Sequence, residues 1–288
     1  MACLIPARNL GDAFQAALAA VSRDGAIVSP RGIVTRELTN VVLEVADAHG
    51  RFVHHPSLRY PLIVLKQLMS LCGPLDAAAL ERYEVPMSDG ARSAARIFDD
   101  LEQIPTRRYL DEMFEVLAVD PESRQAVLPV FGASSLRTRL PITVALQFLI
   151  RENALHATVW MRSNDLWKGF LTDVHLLAFL QEVLAAWLKV EVGTYTHIIA
   201  SAHVYEKDIP AIRRFLASGP LQPVDPAPPK FSLSRDRWQS EVSRLLDAER
   251  HWRARGAGGF EPVPLKDGYL QWCAAALMEF LDSTKFLE

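Results

Sequence analysis

Between residues 173 and 188 the chain sets Val174, Leu177, Leu180, Leu184 and Leu188 at helical spacing in a mostly apolar stretch. The pattern predicts a long helix with a broad apolar stripe that must be buried. The flanking sequence supplies a surface to bury it against. Residues 143–151 and 154–161 read as two strands joined by a tight polar turn at Glu152-Asn153. Residues 194–205, with Tyr195, Ile198, Ile199 and Val204, read as a third β-rich segment. A long apolar helix inserted between strands is what any fold of this chain has to accommodate.

The rest of the chain is expected to add helices at 10–21, 60–71, 107–117 and 235–255, and strands at 37–46 and 124–131. Residues 74–103 read as polar and irregular. Strands and helices mix without a regular βαβ rhythm, so the predicted class is α+β with a mostly antiparallel or mixed sheet. Five prolines between Pro220 and Pro229 mark an extended surface segment. They divide the chain into a main domain, 1–218, the Pro-rich segment, 219–230, and a C-terminal helical extension, 231–288, packed on the same domain. Arg250, Arg253 and Arg255 in the last turn of the 235–255 helix suit a helix C-terminus, with an anion site as the other reading.

Composition excludes several classes. Half of the 288 residues are hydrophobic and 23% are charged, which rules out a disordered chain. The formal charge is 31 − 34 = −3, giving no general case for a nucleic-acid or membrane-surface partner. Cys3, Cys72 and Cys273 form neither a disulfide framework nor paired metal-ligand spacing, and an odd count suits a reducing cytosol. No apolar run is expected to reach the roughly 18 residues of a membrane helix. The first eight residues are too short and polar for a signal sequence. The expectation is a soluble cytoplasmic protein.

No Gly-rich phosphate loop, zinc spacing or nucleophile elbow is present. The informative block is Arg162-Ser163-Asn164-Asp165, then Gly169, Asp173, His203 and Tyr205. An arginine fork beside a hydroxyl at a strand end can grip an anion, or simply pair at that end. His203 and Tyr205 are two residues apart on a strand and therefore share a face, able to hold a sugar hydroxyl or to sit satisfied in the core.

In order and spacing this block resembles the thymidylate synthase and deoxycytidylate hydroxymethylase superfamily: Arg162-Ser163-Asn164-Asp165, Gly169, Asp173, a long helix, then Ala202-His203-Val204-Tyr205. Pro121-Glu122-Ser123-Arg124-Gln125-Ala126-Val127 is similar to the family's arginine segment. Leu140-Pro141-Ile142-Thr143 followed by Leu146-Gln147-Phe148 is similar to its active-site strand. The similarity runs from about residue 25 to 210 and is most specific over 121–208.

The resemblance implies a thymidylate-synthase-like fold and a homodimer binding a pyrimidine nucleoside monophosphate. Arg162 and Ser163 would hold the phosphate, with help from Arg31, and Arg124 would cross the dimer interface. Family members often carry two adjacent arginines there, where this chain has Arg124 then Gln125. His203 and Tyr205 would bind the ribose 3′-hydroxyl. Asp165 would touch 5,10-methylenetetrahydrofolate. At Asp173 the resemblance is to members that use cytosine, since a carboxylate accepts from the exocyclic amine and has no donor for O4 of uracil. Asp at this point also suits a helix cap.

The resemblance breaks at two places. The family's thiolate adds to C6 of the pyrimidine, and counting back from Gln147-Phe148 puts that position at Ile142. The family's proton-transfer glutamate, counted back from Gly73, falls on Lys66. Lys66 could pair with Asp173, either as an altered activating pair or as simple charge neutralisation. A thiol displaced to Cys72 is the remaining route to the old chemistry. The family's Tyr-Gly segment is nearest to Asp89-Gly90-Ala91-Arg92. Two function classes stay open: a diverged one-carbon transferase working without the cysteine, or a silent nucleotide-binding protein or partner subunit of an active homologue.

Overall fold

The strand-forming segments assemble into one eight-stranded mixed sheet in a computed structural model, which describes residues 2–56, 58–72, 76–83, 106–130, 140–255 and 263–283. The chain begins with β1 (Cys3–Ala7), α1 (Leu10–Asp24), β2 (Ala26–Val28) and β3 (Thr35–Val45). Helices α2 (Tyr60–Cys72), α3 (Ala77–Tyr83) and α4 (Thr106–Val119) follow, then β4 (Val127–Pro129), β5 (Thr143–Arg151), β6 (Ala154–Met161) and β7 (Asn164–Asp165). Helix α5 (Phe170–Leu188) leads into the long β8 (Glu191–Tyr205), and α6 (Ile209–Ala217), α7 (Trp238–Arg255) and α8 (Gly268–Ser283) complete the fold.

The strand order is β1-β3-β8-β6-β5-β4, with β2 paired to β3 and β7 to β8. The α+β expectation holds, with a refinement. β1 runs parallel to β3, and β6 parallel to β8. Each parallel pair is joined through a helix, α1 or α5, because parallel neighbours need a crossover. The hairpin between β5 and β6 turns at Glu152 and Asn153, both with positive φ (51° and 59°), the twist a two-residue loop requires.

Local chemistry sets the element ends. Asn9 caps α1 by accepting from the Asp12 amide at 2.9 Å, and Leu10, Phe14, Leu18 and Val21 form its buried face. Helix α3 lies in the stretch expected to be irregular. It is short, and its Tyr83 is buried against Phe280 of α8, so packing rather than local propensity sustains it. The strand expected at 124–131 is only the three residues of β4. Asp89-Gly90-Ala91-Arg92 and Gly73 lie outside the described residues. The Pro-rich segment pairs with the loop before α2, His54 donating to the Gln222 carbonyl and Val224 to that of Phe52. Arg253 pairs with Glu249 and Asp76, and Arg250 with Asp247, so both cations serve ion pairs.

Helix α5 is the centre of the core. By length and composition it could cross a membrane, contrary to expectation, but 83% of that stretch is buried inside the protein. Each leucine so enclosed stabilises the fold by about 1.5–3 kcal/mol. Burial on every side also traps polar groups. Glu182 is held by Arg51 at 2.6 Å and accepts from the Phe231 amide at 2.7 Å, with His49 at 3.6 Å. Burial alone would push this carboxyl up, but Arg51, His49 and the Phe231 amide outweigh it and hold it down at about 2.

A carboxyl depressed on folding contributes stability that is complete above its ordinary pKa and fades as pH falls through the folded value. Urea denaturation should therefore show Glu182→Gln less stable than the parent by about 3–5 kcal/mol at neutral pH. That gap should shrink from about pH 5 toward about pH 2. A gap independent of pH would contradict the assignment.

Candidate functional site

Sheet register gathers most of the sequence-predicted residues at one end of the sheet. Met161 at the end of β6 lies opposite Ile199, and β7 continues alongside β8, Asn164 beside Ala202 and Asp165 beside His203. Thr143 opens β5 opposite Met161, and Thr35 opens β3 opposite Tyr205. The carboxyl ends of β6 and β8 and the amino ends of β3 and β5 therefore meet, bringing Ile142, Arg162, Ser163, Asn164, Asp165, His203 and Tyr205 together. Arg31, exposed on the turn Pro30–Gly32 with φ 55°, stands at this same end.

Arg162 is tied into the site by its own chain. Its guanidinium donates to the carbonyls of Pro141 at 2.8 Å and Leu140 at 3.0 Å, and to the Ser163 hydroxyl at 3.3 Å. Its backbone amide donates to the Ile142 carbonyl at 2.9 Å. The segment ending in Ile142 is thus locked beside the arginine and serine. Ile142 itself is half-buried against the core.

Asp165 accepts from the amides of Trp167 and Lys168, each at 3.1 Å, and this turn leads the chain from β7 toward α5. Burial pushes its carboxyl up, opposed by the neighbouring His203. The rings of His203 and Tyr205 stand edge to face, 5.8 Å apart, on one side of β8. Arg36 grips Glu206 with two bonds of 2.8 and 2.9 Å and so fixes the end of β8 that carries them.

Asp173 lies in the first turn of α5, and the helix begins three residues earlier than expected, with Gly169 at the cap. Asp173 is therefore not the cap. It is buried, and its Oδ2 accepts from Asn164 Nδ2 at 2.6 Å. Beneath it, Tyr195 Oη and His197 Nδ1 are 2.9 Å apart. Burial, reinforced by the charge of Asp173, pushes the Tyr195 phenol well up, while burial pushes His197 down to about 3 and keeps it neutral at neutral pH.

One expected residue stands apart. Arg124 is exposed near the far end of β5, where its carbonyl accepts from Gln147 and Phe148 donates to the adjacent Ala126 carbonyl. At about 3.4 Å per residue it is on the order of 20 Å from the Thr143 end in the same chain. Lys66 is fully buried in α2. Its neighbour Gln67 donates to the carbonyl of His175, two residues along α5 from Asp173.

Lys168, Tyr195 and His197 join the site without having been singled out, and Asn164, quoted in the block without a role, joins it as the partner of Asp173. Lys168 is 3.5 Å from Asp208 and faces the Tyr205 ring at 5.7 Å. The missed signal was a repeated pattern: Tyr195-Thr196-His197 spaces an aromatic and a histidine on β8 just as His203-Val204-Tyr205 does.

The chain is also similar to known proteins. The thymidylate synthase family model matches residues 94–244, just over half of the chain. The deoxyuridylate hydroxymethyltransferase of Bacillus phage SP01 is 30% identical over 219 residues, covering 66% of this chain and 56% of the phage protein. The thymidylate synthase of Symbiobacterium thermophilum is 30% identical over 152 residues, covering 49% of this chain and 52% of its own length. The chain thus spans about half the length of these two relatives.

Cys72 faces Ser243 of α7 at 3.9 Å, and Cys273 is buried in α8. Burial pushes both thiols up. With iodoacetamide at neutral pH, Cys72 and Cys273 should alkylate more slowly in the native protein than in urea. Faster native labelling of Cys72 would revive it as a displaced nucleophile.

Proposed function

The chain belongs to the thymidylate synthase family, and on that footing we propose that it binds a pyrimidine nucleoside monophosphate of cytidine type. The observation that carries this reading is Asp173, a buried carboxylate fixed by Asn164 in the mouth of α5. Such a group accepts from the exocyclic amine of cytosine and offers nothing to O4 of uracil. The phage relative is named for a uracil nucleotide, so a uracil preference is the outcome that would refute the base assignment. Arg162, Ser163 and Arg31 receive the phosphate, and His203 with Tyr205 the ribose hydroxyl.

The group that fits beside this nucleotide is 5,10-methylenetetrahydrofolate, the family's one-carbon donor. Asp165 supports the fit, as a half-buried carboxylate made rigid by two backbone amides next to His203. The proposed reaction, a one-carbon transfer to the pyrimidine or a related metabolite, runs without cysteine attack at C6 because Ile142 has no nucleophilic atom. Lys66 and Asp173 are the groups proposed to replace it. The position of Ile142 also supports a second reading, a nucleotide-binding protein or partner subunit that performs no transfer.

The proposal includes a homodimer in the cytoplasm, with neither nucleic acid nor membrane as partner. Leu4, Val42, Ile198, Trp160 and Ala145 are consecutive register partners across five strands. They form an apolar row on the sheet face away from α5, and Leu4 is 63% exposed. A second copy covering this row would also bring its Arg124 toward the distant phosphate site. Sedimentation should return twice the chain mass, and a Trp160→Lys variant should run as the monomer.

A thermal-shift panel of dUMP, UMP, dCMP and CMP tests the nucleotide. The cytosine nucleotides should stabilise the protein most, and Asp173→Asn should abolish the preference. No stabilisation by any of the four would sink the reading. Folate added to the best nucleotide separates the two classes: binding of both supports the transferase, nucleotide alone the silent protein. Release of C5 hydrogen from a pyrimidine nucleotide in the presence of methylenetetrahydrofolate would overturn the claim that the cysteine route is absent.

A further inference from the structure

We infer that Asn164 is a positioning residue that sets the choice of pyrimidine by holding Asp173 as an acceptor-only group. The inference rests on the proposed base pocket and deepens it. Asn164 is buried, and its backbone is fixed by pairing with Ala202 of β8. Asp173 is fixed independently by helix α5, its amide bonded to the Gly169 carbonyl. Their side chains meet at 2.6 Å across a strand end and a helix start.

Gly169 makes room for the contact. A Cβ at Gly169 would stand 3.3 Å from Asp173 Oδ2 and 3.8 Å from Asn164 Nδ2, pressing on the carboxylate. The backbone there has no positive φ, so what glycine provides is space rather than conformational freedom.

The chemistry follows from burial. An enclosed carboxyl tends to keep its proton, because desolvation penalises the charge. A protonated Asp173 would both donate and accept, as an amide does, and would then accommodate O4 of uracil as readily as the amine of cytosine. The Asn164 Nδ2 group can only donate. Its bond to Oδ2 is satisfied best by the ionised acid and so opposes protonation. Discrimination between bases is therefore shared between the residue that faces the ligand and the amide behind it.

The test uses the full chain with Asn164→Leu, which removes the donor, and Asn164→Asp, which keeps the shape but replaces the donor with a second carboxylate. Two carboxylates at this separation cannot both ionise, so Asn164→Asp also forces a proton into the pair. Calorimetric titration with dCMP and dUMP reads the ratio of their affinities, which a purely structural role would leave unchanged. Both variants should lose about tenfold in that ratio, the scale of roughly one hydrogen bond. Adding Asp173→Asn should bring no further loss, because the two residues act as one unit. Should Asn164→Leu fail to fold, the isosteric Asn164→Asp decides. A parent protein that prefers dCMP, with folded variants that keep the preference, overturns the inference and leaves the base pocket standing. A parent protein with no preference overturns the base pocket and the inference together.

Discussion

A helix buried on almost every side must settle most of its polar side chains inside the protein, and helix α5 arranges much of the molecule in doing so. Gln181 donates to the carbonyls of Leu155, Gly193 and Thr194, at 2.7, 3.1 and 3.3 Å. The parallel pairing of β6 and β8 slips register at this point. A Cβ on Gly193 would lie 2.8 Å from the His156 ring, so only glycine lets the two strands approach there. One residue along, Glu182 binds Arg51 and the Phe231 amide, drawing the loop before α2 and the C-terminal segment onto the same helix. Tyr269 extends the attachment through Gln67 at 2.6 Å, and Gln67 returns to α5 at the His175 carbonyl. At the helix start, Asp173 performs the same service for β7 through Asn164.

Placing the site at the helix start is a consequence of the crossover. β6, α5 and β8 form a parallel strand-helix-strand unit, and in such units the carboxyl ends of the strands and the amino end of the helix share one side. The residues following β6 and those ending β8 have to converge there. The positive end of the helix dipole also falls on this side, where it favours anionic groups. Asp173 benefits from that field, and so would a phosphate held near Arg162. The chemistry of the site is thus concentrated where backbone geometry already supplies favourable electrostatics.

Much of this was legible from the chain. The hairpin at Glu152-Asn153 was readable because two residues with left-handed backbones favour polar, compact side chains. The long helix was readable because its stripe repeats at 3.6 residues. Its start was not, because Asp is a good cap in isolation, and local preference placed it at position 173. Burial won instead: Phe170 and Leu171 are worth more enclosed in the first turn than outside it, and Asp173 was carried inside with them. Helix α3 escaped notice for the opposite reason, since seven residues carry too little periodicity and depend on Tyr83 for anchorage. Asn164 stood in plain view within the recognised block, but its importance is a distance, and nine residues of sequence separation do not reveal a 2.6 Å contact.

The position of Arg124 and the engagement of Arg162 lead to one conclusion. The Arg162 fork already serves the Leu140 and Pro141 carbonyls and the Ser163 hydroxyl. Those bonds pre-organise the guanidinium but leave it less able to neutralise a dianionic phosphate alone. Arg31, exposed on its turn, adds a second cation on the same side. On the proposed function a third cation would strengthen that grip, and the chain carries Arg124 about 20 Å away, at the other end of β5. In the proposed dimer that distance becomes an advantage. The face bearing Leu4, Val42, Ile198, Trp160 and Ala145 is apolar enough to bind a second copy, and pairing would bury it while exchanging arginines between sites. Nucleotide affinity would then depend on assembly, and a weaker interface would register first as a weaker phosphate grip.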